Sequence, residues 1–164
     1  TDRGLRIKTR RGRGKDSVVD LVTFENIRMD GVLTPFVVNC FYFCDPDGKT
    51  EYVQTRKALP VDERTPEIRE LVFKNIDAKN AHYAAVCAYG LPEQKIGRLS
   101  FENISVSYAK DVEPQTPAMM CDLPPMAKAG IFVRNVRELE LKNVRIEGCI
   151  GNEIDAEGVD RIQK

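Results

Sequence analysis

The chain has no tryptophan, a single histidine (His82) and no net charge, its 25 basic residues matching 25 acidic ones. Neutrality of this kind argues against a nucleic-acid partner, whose phosphates demand a basic surface. No apolar run is long enough to span a bilayer, so no membrane partner is expected. The five cysteines (Cys40, Cys44, Cys87, Cys121, Cys149) are odd in number and widely spread, which excludes a complete disulfide framework and predicts mostly buried thiols. Cys40 and Cys44 lack Cys-x-x-Cys spacing, and with one histidine available no zinc site is expected. Asp45-Pro46-Asp47-Gly48 has no Glu at the twelfth position of a calcium loop and reads as a turn. A phosphate-cradling glycine loop and a Ser/His/Asp arrangement are missing too, so no metal and no cofactor is expected. Thr1-Asp2-Arg3-Gly4 carries neither an initiator Met nor a leader pattern, and the expectation is a piece of a longer protein.

What is present is a repeat. Val19 to Met29 reads VDLVTFENIRM, Ile68 to Ala78 IRELVFKNIDA, Ile96 to Val106 IGRLSFENISV and Val136 to Ile146 VRELELKNVRI, and Val159-Asp160-Arg161-Ile162 begins a fifth copy. In each full copy two pairs of apolar residues are out of phase. Leu71 and Phe73 share one side of a strand and so do Ile76 and Ala78, but the step of three between the pairs requires a bend at Asn75. Asn26, Asn75, Asn103 and Asn143 occupy that bend. Asparagine tolerates left-handed backbone angles, and its amide both donates and accepts, so stacked copies would bond as a ladder. Glu25, Lys74, Glu102 and Lys142 alternate in sign one position earlier, which predicts stacking in register.

The copies start at 19, 68, 96, 136 and 159, at intervals too uneven for a helical array of fixed repeat length. The predicted architecture is therefore all-β: a right-handed parallel β-helix of about five coils with inserted loops. With 42% hydrophobic residues the whole of 1–164 is read as a single domain. Second strands of the coils are expected at Pro35–Phe41, His82–Ala88, Ala129–Val133 and Asn152–Ala156. Cys44–Pro66 and Tyr108–Lys128 are the insertions. Ahead of the first copy, Gly4-Leu5-Arg6-Ile7-Lys8-Thr9 alternates so that Leu5 and Ile7 face inward and Arg6 and Lys8 stand side by side outside. Arg10 to Lys15, RRGRGK, is expected to be a solvated turn.

The Arg6-Ile7-Lys8 strand following Thr1-Asp2-Arg3-Gly4, the Val-x-x-Val-x-Phe-x-Asn-Ile coil, and Gly90-Leu91-Pro92-Glu93 before the next coil resemble the C-terminal part of glycoside hydrolase family 28, the polygalacturonase family of inverting pectin hydrolases. The resemblance runs along essentially the whole chain. It implies that Arg6 and Lys8 bind substrate, and the chemistry agrees, because a uronic acid carries a carboxylate that Arg grips with a planar fork and Lys supports with a compact charge. The family's Asn-Thr-Asp, Asp-Asp and Gly-His-Gly segments do not occur, so no catalytic residue is assigned in this chain. A tyrosine that lines the site in the family is replaced, on this reading, by Phe36.

The resemblance thus implies pectin or another galacturonate-containing polysaccharide as partner and a secreted or periplasmic parent protein. The chain by itself is expected to be inactive and to self-associate as a homodimer through an exposed N-terminal coil. The alternative is a non-catalytic β-helix that binds carbohydrate or serves a structural or adhesive role, with Arg6 and Lys8 ordinary surface cations.

Overall fold

The computed structural model describes residues 4–164; Thr1, Asp2 and Arg3, the first residues quoted for the expected resemblance, lie outside the described residues. The chain is almost entirely β. Its strands are β1 (Leu5–Lys8), β2 (Val18–Val19), β3 (Val22–Asp30), β4 (Phe36–Asn39), β5 (Glu67–Ile68), β6 (Glu70–Ala81), β7 (Ala84–Tyr89), β8 (Ile96–Tyr108), β9 (Ala129–Arg134), β10 (Val136–Glu147), β11 (Ile154–Glu157) and β12 (Arg161–Gln163), with one short helix, α1 (Glu51–Gln54). Two five-stranded sheets dominate. Sheet I runs β1-β4-β7-β9-β11 and sheet II runs β3-β6-β8-β10-β12, and every pairing between these strands is parallel. The chain alternates between the sheets, adding one strand to each at every pass, so repeats adjacent in sequence are adjacent in space.

The repeat reads directly into the core. Val22, Leu71, Leu99, Leu139 and Ile162 form one column in register across sheet II, and Phe24, Phe73, Phe101 and Leu141 the next. The phenylalanines stack, with ring centroids 5.4 Å apart for Phe24 and Phe73 and 4.8 Å for Phe73 and Phe101. Sheet I contributes Phe36, Val38, Val86, Ala88, Ile131 and Val133 to the same core. Phe36 is 0% exposed and lies edge-on to Phe73 and Phe101. It therefore points between the sheets and lines no outer face, which corrects the expectation for that position; a tyrosine hydroxyl there would have to be buried.

The bend falls where expected. Asn26, Asn75, Asn103 and Asn143 have φ of 59°, 54°, 54° and 53°, so Leu71 and Phe73 before the bend and Ile76 and Ala78 after it all reach the core. The amides form a ladder: Asn75 Nδ2 donates to Asn26 Oδ1 at 3.0 Å, Asn103 to Asn75 at 3.0 Å and Asn143 to Asn103 at 2.9 Å. The ladder is solvent-exposed, along a shallow groove of about 610 Å³ that also includes Arg28, Asp77, Ser105 and Arg145. One position earlier, Glu25, Lys74, Glu102 and Lys142 are in register, and Glu102 receives Lys142 at 3.1 Å and Lys74 at 3.9 Å.

The segment RRGRGK departs from a solvated turn. Arg10 is 8% and Arg11 1% exposed. Arg11 pairs bidentately with the buried Glu93 at 2.6 and 2.9 Å and donates to the carbonyls of Tyr52, Val53, Thr55 and Lys57. Those carbonyls belong to α1 and the turn after it, where a helix leaves its last oxygens without intrahelical donors. One guanidinium thus ties the first insertion to the loop after β7 and gives Gly90-Leu91-Pro92-Glu93 a structural role. Gly90 itself is required by close approach, since a Cβ there would meet the Asn135 carbonyl oxygen at 2.2 Å. Of the five thiols only Cys40 and Cys87 are buried, fewer than expected, because Cys44 and Cys121 sit on the insertions and Cys149 in the turn between β10 and β11.

Candidate functional site

Strand β1 carries its apolar residues inward and its cations outward: Leu5 and Ile7 pack against the core, while Arg6 and Lys8 are exposed on the outer face of sheet I. Alternation along the strand and the pull of the core are sufficient to place them there. Among the described residues, neither cation has a carboxylate within ion-pair distance. The Lys8 ammonium stands 3.9 Å from the centroid of the Tyr42 ring, a cation–π contact that holds the charge while leaving its other donors to solvent. Tyr42 is brought there because its backbone N–H donates to the Thr9 carbonyl at 3.2 Å, and Arg10 and Phe41 form an antiparallel bridge.

Next to this pair the surface changes abruptly. Arg6 is in register with Val37, and Lys8 with Asn39. Val37 is 0% and Asn39 1% exposed. They are covered by the second insertion, in which Met119, Met120 and Met126 pack on Val37, Cys87 and Phe132 as a second apolar cluster. The Asn39 side chain closes the seam, donating to the Met119 carbonyl and accepting from the Phe41 backbone N–H at 2.8 Å.

The two insertions brace one another above this seam. Arg56, from the first, stacks on Phe41 at 3.8 Å and Tyr89 at 4.8 Å and donates to the Cys121 carbonyl of the second at 3.0 Å. Cys121 Sγ donates to Gln54 Oε1 at 2.8 Å, at the mouth of a hollow of about 340 Å³ shared with Phe43, Lys49 and Asp122. Burial holds the Cys121 thiol above its ordinary range, so it stays protonated here.

Asp45 and Asp47, in the expected turn, are the carboxylates closest in sequence to Tyr42. Both are engaged: Asp45 receives Arg10 at 2.8 Å and Arg13 at 2.5 Å, and Asp47 receives Arg10 at 2.7 Å. The hydrogen bond from Arg10 holds the Asp45 carboxyl below the usual carboxylate range, which suits an anchored anion and not a general acid. Among the described residues no group of three or more His, Cys, Asp or Glu comes together to hold a metal ion. The arrangement can bind and orient an anion beside an aromatic face; these residues offer no acid and base pair across a bond to be cleaved.

Arg6 and Lys8 were legible in the sequence, whereas Tyr42, Asn39 and Arg56 were not picked out. Alternation along β4 would have put Asn39 outward with Val37, but only the pairing of β4 with β1 shows it beside Lys8. No family model, no curated protein and no solved structure matches the chain. None of the three links the chain to family 28.

Proposed function

We propose that the chain is the C-terminal part of a polygalacturonase-like glycoside hydrolase, folded as a right-handed parallel β-helix, and that the exposed end of sheet I binds the galacturonate of pectin. The solenoid reading is supported by two five-stranded parallel sheets whose strands are added in chain order. The functional reading is carried by one observation: Arg6 and Lys8 stand two residues apart on the open outer face at the end of sheet I, beside the Tyr42 ring. A planar guanidinium donates two parallel hydrogen bonds to a carboxylate, and the Lys8 ammonium, held over the Tyr42 ring, adds a compact charge beside it, so the pair of cations matches an acidic sugar and not a neutral one. In the complete enzyme, inversion would need two further carboxyl groups roughly 6.5–9.5 Å apart, contributed by residues outside this set.

The test is binding. Galacturonate oligomers titrated into the chain should bind, and Arg6→Ala should weaken them about tenfold or more, the loss expected for a charge-assisted bidentate contact of ~1.5–3 kcal/mol. A neutral glucan of similar length should bind weakly and be unaffected by the substitution. Equal losses on both glycans would reject carboxylate recognition.

The same end of the molecule is the proposed self-association surface. β1 and β3 each have a neighbour on one side only among the described residues, and Leu5, Ile7, Val22, Phe24 and Met29 remain half-buried there. An unpaired parallel edge over apolar side chains recruits a second edge. Light scattering should show a dimer that polygalacturonate dissociates, because glycan and partner compete for one end of the molecule.

A further inference from the structure

We infer that this site is closed on one side and receives the terminus of an acidic polysaccharide, not a stretch from the middle of one; the inference rests on the uronate reading above. Two rows of the outer face of sheet I carry the argument. In the first, exposed Arg6 is followed across the strands by Val37, Cys87 and Phe132, which are 0%, 0% and 7% exposed. In the second, exposed Lys8 is followed by Asn39 at 1%. Both rows pass from open to covered within one strand spacing, about 4.8 Å, so a wall rises directly beside the cations.

The wall is held in place from several directions. Asn39 holds it to the sheet through the Met119 carbonyl, and Arg56 holds Cys121 while stacked on Phe41 and Tyr89. Gln115 and Met126 close the insertion's base with reciprocal backbone hydrogen bonds of 3.1 and 3.0 Å, and Tyr83 Oη donates to Gln115 Oε1 at 3.0 Å. Met120 and Met126 are 7% and 9% exposed and bury an apolar layer beneath the wall. A glycan lying across the strands at Arg6 and Lys8 could continue past Met119 only if that layer were peeled off. On the other side β1 has no neighbouring strand among the described residues. A bound chain therefore extends away from the wall, and its last sugar sits against Asn39 and Met119.

Stoichiometry decides this. Calorimetric titration of the chain with short and long galacturonate oligomers of defined length should give one protein per glycan at every length, with an affinity per glycan that does not rise with length. Capping a glycan end should matter as well: oligomers tagged at the reducing end and oligomers with a modified non-reducing end are compared, and one of the two tags should abolish binding. A protein-to-glycan ratio that grows with length, or indifference to both tags, overturns the closed site while leaving uronate binding intact. No binding at any length rejects the uronate reading and this inference together. Arg56→Ala provides a second readout, since freeing the wall without touching Arg6 or Lys8 should raise the ratio on long oligomers above one; an unchanged ratio in a folded variant whose insertion has become protease-sensitive would show that the wall does not set the limit.

Discussion

The outer faces of the two sheets have the same inner partner and opposite fates. On sheet II the outward row Glu25, Lys74, Glu102 and Lys142 is charged and faces water, with Glu102 pairing to Lys74 and Lys142 within the row. On sheet I the corresponding outward positions Val37, Cys87 and Phe132 are apolar and lie beneath an inserted loop, and the row turns polar only at its ends, at Arg6 and Asp155. Two parallel sheets that face one core need only their inner columns to fold, so the outer faces are free to diverge. The face that received insertions is the one that acquired a wall, a seam and two open cations. Exposed ion pairs such as Lys142 with Glu102 contribute less than about 1 kcal/mol, so the sheet II face chiefly keeps register and solubility.

Placing the same charge on each face tests this contrast most directly. Cys87→Asp should cost about 3–5 kcal/mol, the penalty of an uncompensated buried charge, whereas Thr23→Asp on the exposed face of β3 should stay within about 0.5 kcal/mol. Urea unfolding measures both, and similar losses would mean that the second apolar cluster is not a packed layer. Arg11→Ala should be comparably severe, also about 3–5 kcal/mol, because it strands buried Glu93 and four carbonyl groups. The damage should centre on the insertions, so hydrogen exchange should accelerate around Tyr52–Lys57 and Pro92–Glu93 before it does in β6 and β8. Uniform acceleration would show that the pair supports the whole stack.

Alkaline pH should also affect the two faces unequally. Burial pushes the thiols of Cys40 and Cys87 up to about 12. Each keeps its proton in the folded chain after the unfolded chain has lost it. The stabilisation is therefore whole below about pH 8.5, the ordinary cysteine value, and is lost as pH rises toward 12, at about 1.4 kcal/mol per pH unit for each thiol. Cys87→Ala should make the decline in melting temperature between pH 9 and pH 11 (about 8.5 to 12 being the window that linkage sets) shallower than in the parent chain. An identical slope would place the responsible groups elsewhere.

The smallest effect concerns the bend of sheet II. Because the asparagine ladder is exposed, Asn75→Ala leaves no buried group unpaired, and the cost traces to holding an alanine at φ near 54°, about 1–2 kcal/mol. Asn75→Gly removes the amide but adopts that angle freely, so it should recover most of the loss in thermal melts. If glycine is as damaging as alanine, the amide ladder and not the backbone angle stabilises the bend.

Most of the interior is legible in the sequence. The columns of Leu71 and Phe73, the reversal at Asn75, the register of Glu102 with Lys142 and the inward turn of Leu5 and Ile7 all follow from local rules: side chains alternate by two along a strand, and a few residue types accept a left-handed angle. Such rules act over a handful of residues, so they are written wherever those residues stand. The surroundings of the cations were of another kind. Arg6 and Lys8 were visible as outward side chains, but the burial of Arg10 and Arg11 and the cover over Val37 and Asn39 depend on where two insertions travel. Arg11 meets Glu93, Asn39 meets Met119 and Arg56 meets Cys121 across long stretches of chain. No periodicity links such positions. Sequence alone settled which residues build the stack, and tertiary structure alone decided which part of its surface is open, because burial of an outer face depends on what folds back over it.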